Sequence, residues 1–127
     1  MTARDAVRAI NAGRVALGVG LVLAPHRSAR VWIGDDASGR GTAVLARAHG
    51  TREIVLGVLA LRVAGDRRSA RRLAGALVLC DVVDLAVTIA ARRSLPRTSV
   101  LVALVAGAGM AGQAWAVGRP ADEPPAR

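Results

Sequence analysis

Lysine, phenylalanine and tyrosine do not occur in this sequence, cysteine occurs once and tryptophan twice. Each shortage removes something. The lone Cys80 excludes an internal disulfide and a thiolate metal centre, and its apolar neighbours favour an inert buried thiol. With aromatic residues at 2%, core filling falls to Val, Leu, Ala and Ile. The absence of Lys leaves the formal charge of +9 to arginine alone. In a chain rich in Ala, Gly and Val, that pattern reflects a GC-rich genome and is not read as function. A basic balance can signal nucleic acid. Here the arginines gather at the ends of apolar blocks, where they anchor and orient helices instead, so no nucleic-acid partner is expected. No Gly-rich phosphate loop and no Ser-His-Asp spacing occurs.

Apolar blocks are what the chain has. Hydrophobic residues make up 53% and mean hydropathy is +0.38, which points to the membrane class. The first block closes at Pro25, with Asn11, Arg14 and Gly18 on one stripe by their helical spacing. Arg14 interrupts it, so an uncleaved helix is expected and not a signal peptide. Arg27 to Ile33 reads as a short interfacial helix with Trp32 at headgroup depth, and Gly34 to Gly41 as a polar turn whose Asp35 and Asp36 are solvated. A second long helix is expected over Ala43 to Ala64, a third from about Ser69 to Ala91, and a fourth over Thr98 to Gly118, the last free of charge. Ala103, Gly107, Ala111, Ala114 and Gly118 give the fourth helix a flat face for close approach, inside the bundle or against a second copy in a homodimer. The Pro-rich stretch after Gly118 reads as a disordered tail. The fold class expected is therefore all-α: a four-helix transmembrane bundle over residues 1–118, with a short interfacial helix between the first two spans. Arginine asymmetry places both termini in the cytoplasm, as a multi-pass protein of the inner or plasma membrane.

The second helix carries Arg47, His49, Arg52 and Glu53, and the third carries Asp81 and Asp84. A charge at the centre of a hydrocarbon-length helix costs about 2.5–3.5 kcal/mol even on the gentler insertion scales, so such groups face the bundle and find partners. At about 1.5 Å rise per residue, Arg14 comes to about 14 Å from the cytoplasmic face and Asp81 and Asp84 to about 18 and 22 Å. Two tiers follow: Arg14 with Glu53 and Arg52, and Asp84 with Arg47 and His49, with Asp81 between them. Three arginines and three carboxylates cancel in sign. Two readings stay open. The cluster is a structural ionic core that sets helix register, or it is a site where a carboxylate moves protons or holds a ligand. His49, Glu53, Asp81 and Asp84 have ligand types suited to a metal in a bundle. One His among several arginines argues against it, and no metal or cofactor is expected.

Familiar templates fit poorly. DVVD lacks the following Gly and the second acidic pair of the CDP-alcohol phosphotransferases. Small multidrug exporters keep their Glu in the first helix beside aromatics, and fluoride channels rely on Phe. The phrases GRVALGVGLVLAP, RAHGTREIVLG and DVVDLA, however, resemble an uncharacterised family of small four-helix membrane proteins, loosely similar to the DoxX-like group. Its pattern is an Arg- and Gly-rich first helix ending in Pro, R-x-x-G-x-R-D/E-x-x-L-G in the second helix, and an acidic pair in the third. The resemblance covers Arg14 to about Ala86 and implies motif positions at Arg47, Gly50, Arg52, Glu53, Leu56, Gly57, Asp81 and Asp84. It implies a fold and a cluster, and no activity. The function expected is a lipid- or small-hydrophobe-binding or accessory membrane component. The alternatives are an intramembrane acid/base enzyme on an apolar substrate, with Glu53 or Asp81 as acid/base and Arg47 or Arg52 holding an oxyanion, and a proton-coupled small transporter.

Overall fold

The computed structural model describes residues 2–118, and the expectation of a disordered tail falls on residues 119–127, outside the described residues. Among these residues five helices follow one another: α1 (Ala3–Leu23), α2 (Pro25–Ile33), α3 (Arg40–Val63), α4 (Arg67–Ala90) and α5 (Thr98–Gly118), with a 3₁₀ turn over Gly34–Ser38. No strand occurs among the described residues.

Local chemistry sets the boundaries. α1 opens on a capping box, in which the Thr2 hydroxyl accepts from the Asp5 amide and the Asp5 carboxylate accepts from the Thr2 amide. Pro25 sits at the first position of α2, where its missing N–H costs nothing, so that helix starts two residues before the expected Arg27. Gly34 takes φ +66°, a left-handed conformation that glycine adopts without penalty, and turns the chain into the 3₁₀ segment. That segment is held by His26, whose Nδ1 lies 2.6 Å from the Ala37 carbonyl oxygen. Asp66 caps α4 by accepting from the amides of Arg68 and Ser69.

α1 and α3 form the tightest pair, and glycine is the reason. A Cβ added at Gly18 would lie 2.5 Å from the Gly50 carbonyl oxygen and 2.9 Å from the Ile54 amide. One added at Gly57 would lie 2.7 Å from Val15 and 3.0 Å from the Asn11 carbonyl oxygen. Gly18 thus faces Gly50 while Gly57 faces Asn11 and Val15, so the two helices run antiparallel, backbone against backbone. The stripe read on α1 is the one that turns inward: Asn11 and Gly18 are buried, and the Arg14 side chain is 9% exposed.

Within the monomer α5 does not pack through its small-residue face, which leaves the alternative of a second copy. Gly107 has no neighbour for an added Cβ within 4 Å, and Ala111, Ala114 and Gly118 are exposed. The helix rests instead on Gly112, whose added Cβ would lie 3.1 Å from Ile10, and buries Ser99 and Gln113. The uninterrupted apolarity of α5 gives no amphipathic asymmetry to choose a face by. The small-residue stripe is therefore free of the monomer's own core.

Among the described residues, three helices are long and apolar enough to cross a membrane: Arg4–Leu23, Arg68–Ala90 and Thr98–Trp115. α3 is as long, but Arg47, Arg52 and Glu53 fall in its middle. Large apolar side chains point outward along the others, among them Leu17, Leu79, Val83, Val87, Leu101 and Val105. In water such surface is unfavourable by about 25 cal/mol per Å²; against lipid it is not.

Candidate functional site

Five charged side chains from three helices join in one unbroken series: Asp81, Arg14, Glu53, Arg52, Asp84. Arg14 on α1 donates through Nη1 to Glu53 Oε2 on α3 at 2.7 Å and through Nη2 to Asp81 Oδ2 on α4 at 2.5 Å. Arg52 donates to the other Glu53 oxygen, at 3.1 Å from Nη2 and 3.3 Å from Nε. It also donates to Asp84, from Nη2 to Oδ2 and from Nη1 to Oδ1. Signs alternate along the series, so each guanidinium fork is divided between two carboxylates.

Burial grades along it. Glu53 and Arg14 expose 6% and 9% of their side chains, Asp81 13%, Asp84 27% and Arg52 34%. The Arg14–Glu53 end is closed and the Arg52–Asp84 end is the more open. At the open end stands His49, four residues before Glu53 on the same face of α3. Its ring packs on Trp32, with centroids 5.5 Å apart and planes tilted by 59°. The Trp32 indole N–H donates to the Thr88 hydroxyl at 3.2 Å, and that hydroxyl donates to the Asp84 carbonyl oxygen at 2.7 Å. Trp32 thus turns toward the bundle, where α2 walls the cluster, and its indole N–H is spent on a protein partner. Thr88 was missed in the sequence. Its position four residues after Asp84 placed it on the same face of α4, but a hydroxyl gives no charge signal.

Six of the seven candidate residues converge here: Arg14, His49, Arg52, Glu53, Asp81 and Asp84. Arg47 does not. It is exposed, and its Nε donates at 3.3 Å to the Val22 carbonyl oxygen, one of the carbonyls left open at the end of α1. The expected pairing of Asp84 with Arg47 is therefore replaced by Asp84 with Arg52. Five residues separate Arg47 from Arg52, a turn of about 140° around the helix, so the two cannot serve one face. With Arg47 outside, the charges no longer cancel, and two guanidiniums face three carboxylates.

Ligand atoms of His49, Glu53 and Asp84 lie within 4.8 Å of one another. Arg52 already stands between Glu53 and Asp84, so a metal ion there would have to displace a guanidinium. Among the described residues, the buried Asn11 Oδ1 and Arg14 Nε lack hydrogen-bond partners, while Asn11 Nδ2 donates to the Val7 carbonyl oxygen at 2.8 Å.

Comparison with protein-family models, with curated proteins and with solved structures finds no match to this chain. The fold and site define it as an all-helical protein with three helices suited to a membrane and an ion-paired polar interior.

Proposed function

We propose that the protein is a small, non-enzymatic integral membrane component in which α1, α3, α4 and α5 all cross the bilayer, and that it binds a membrane lipid or small hydrophobic molecule. The observation that carries this reading is its inverted polarity: charge is gathered at the helix interfaces and Val and Leu face outward. α3 joins the spans because Glu53 and Arg52 are neutralised by partners on α1 and α4, which removes most of the penalty for carrying them into hydrocarbon. In this topology both termini and the α3–α4 link lie in the cytoplasm of a cell whose inner or plasma membrane holds the protein, and the outward small-residue face of α5 is free to meet a second copy. Cysteines placed at Ser38 and Ser69 in a Cys80→Ser background test it. They should label from opposite sides of the membrane, with Ser69 cytoplasmic; labelling from one side rejects the four spans.

A second reading rests on the surplus carboxylate beside His49. The series holds one carboxylate more than it has arginines, and its more open end stands beside His49, an arrangement suited to accepting a proton as an acid/base enzyme or a proton-coupled transporter requires. Proton uptake into vesicles on addition of a substrate gradient, abolished by Asp84→Asn, would favour it over the binding role.

A further inference from the structure

The ionic series is one cation short. Asp81, Glu53 and Asp84 face Arg14 and Arg52, while Arg47 lies on another side of α3. Among the described residues, His49 is the group at the open end still able to take a positive charge. One of its ring nitrogens lies within 4.8 Å of a carboxylate oxygen of Glu53 and of Asp84. Among the described residues, no hydrogen bond occupies that ring. A metal ion at this place would have to displace Arg52, whereas a proton adds to a lone pair and needs no cavity.

The carboxylates are poorer places for the missing charge. Glu53 and Asp84 each accept from guanidiniums at both oxygens, so a proton on either would set a donor against an N–H. Asp81 stands at the closed end, 13% exposed. The imidazole has no such conflict. Asp84 of α4 and Glu53 of α3 attract a charge on it, Arg52 of α3 and Arg14 of α1 repel it, and α2 presents the neutral Trp32. Burial opposes any charge there, and three carboxylates against two guanidiniums offset it. Trp32 adds to the offset, since a cation within about 6 Å of an indole centroid is attracted by the ring face, and the two centroids stand 5.5 Å apart. The bond from Trp32 to Thr88, and from Thr88 to the Asp84 carbonyl oxygen, holds the indole in place.

We propose that His49 is the proton-binding residue of the series: it takes a proton from water on a ring nitrogen, becomes the third cation opposite three carboxylates, and packs on Trp32 as an imidazolium. This rests on the second reading above, in which the series accepts a proton, and names the group that holds it.

The test is nitrogen NMR of the imidazole rings in the full chain in detergent, titrated with acid, beside the fluorescence of Trp32 in a Trp115→Phe background. The chain has two histidines, so the signal lost in His49→Gln is that of His49. It should show an imidazolium forming reversibly, with a midpoint between about pH 5 and 7.5. Trp32 emission should fall with the same midpoint, because an imidazolium quenches an indole packed on it. His49→Gln should abolish that fall and His26→Gln should keep it. Asp84→Asn should lower the midpoint by about one unit, since it removes an attracting charge. A His49 ring that stays neutral, with a protonated-carboxyl band appearing in the infrared spectrum, overturns the proposal and leaves the second reading standing. Absence of proton uptake by ring and carboxylates alike over this range ends both.

Discussion

Arg14 and Glu53 stand 39 residues apart in the chain and 2.7 Å apart in the fold. The same guanidinium reaches Asp81 on α4 at 2.5 Å, so one side chain of α1 ties α3 and α4 together. This is the closed end of the ionic series, and removing one partner there strands a charge that water cannot reach.

Breaking a buried pair from one side costs about 3–5 kcal/mol, and removing both partners costs much less. Glu53→Gln should therefore lower folded yield and melting temperature sharply, because Arg14 and Arg52 both lose the negative charge they share and the amide NH2 must face one of them. The double change with Arg14→Gln should recover part of the loss. A melting temperature unchanged by Glu53→Gln, measured in detergent, would show that the series does not hold the helices.

The two arginines of the α3 motif should behave differently. Arg52→Gln leaves Asp84 without its cation and should destabilise, though by less than a change at Arg14, since Arg52 is 34% exposed and solvent screens it. Arg47→Gln gives up one long bond to a helix-end carbonyl and should stay within about 0.5 kcal/mol of the parent. Thermal melts of the two variants side by side decide it; equal losses would place Arg47 in the cluster after all.

Glycine substitutions separate the packed helix face from the open one. At Gly18 a methyl would meet backbone atoms of Gly50 and Ile54 at 2.5 and 2.9 Å, which cannot move aside as a side chain can. Gly18→Ala should cost about 1–3 kcal/mol by overpacking. Gly107→Leu has open space around it and should leave monomer stability intact. If α5 meets a second copy through that face, size-exclusion chromatography should show the Gly107→Leu dimer lost while the monomer melts as before.

At the α3–α4 link, hydrogen bonds from Ser69 and from the Arg68 amide hold the Asp66 carboxyl below its ordinary value of 3.8. A depressed carboxyl stabilises the folded state above its unfolded value and loses that contribution as pH falls through its folded value. The start of α4 should thus stay capped at neutral pH and fray below about pH 4. Amide exchange at Arg68 and Ser69 should quicken over that range in the parent and be fast at all pH in Asp66→Ala.

The caps at Thr2 and Asp66 came only with the structure. Helix count, type and approximate limits followed from the sequence alone, because apolar runs of span length, the Pro25 that closes the first of them and the basic links between the later ones are local signals. So did the inward turn of Asn11, Arg14 and Gly18, which helical spacing puts on one face. Which charges would meet was a different matter. Depth matching brought Arg14 to Glu53 but assigned Asp84 to Arg47, because depth along a helix says nothing of rotation about it. The approach of Gly18 to Gly50 sets the rotation of α3 against α1, and that rotation turns Arg52 inward and Arg47 out. The face of α5 that packs was equally undetermined, since an all-apolar helix buries any face at similar cost until Ile10 of α1 meets Gly112. Composition and periodicity determined the helices and the presence of a polar interior. Only the backbone contact between α1 and α3 decided its membership and left it one carboxylate in excess.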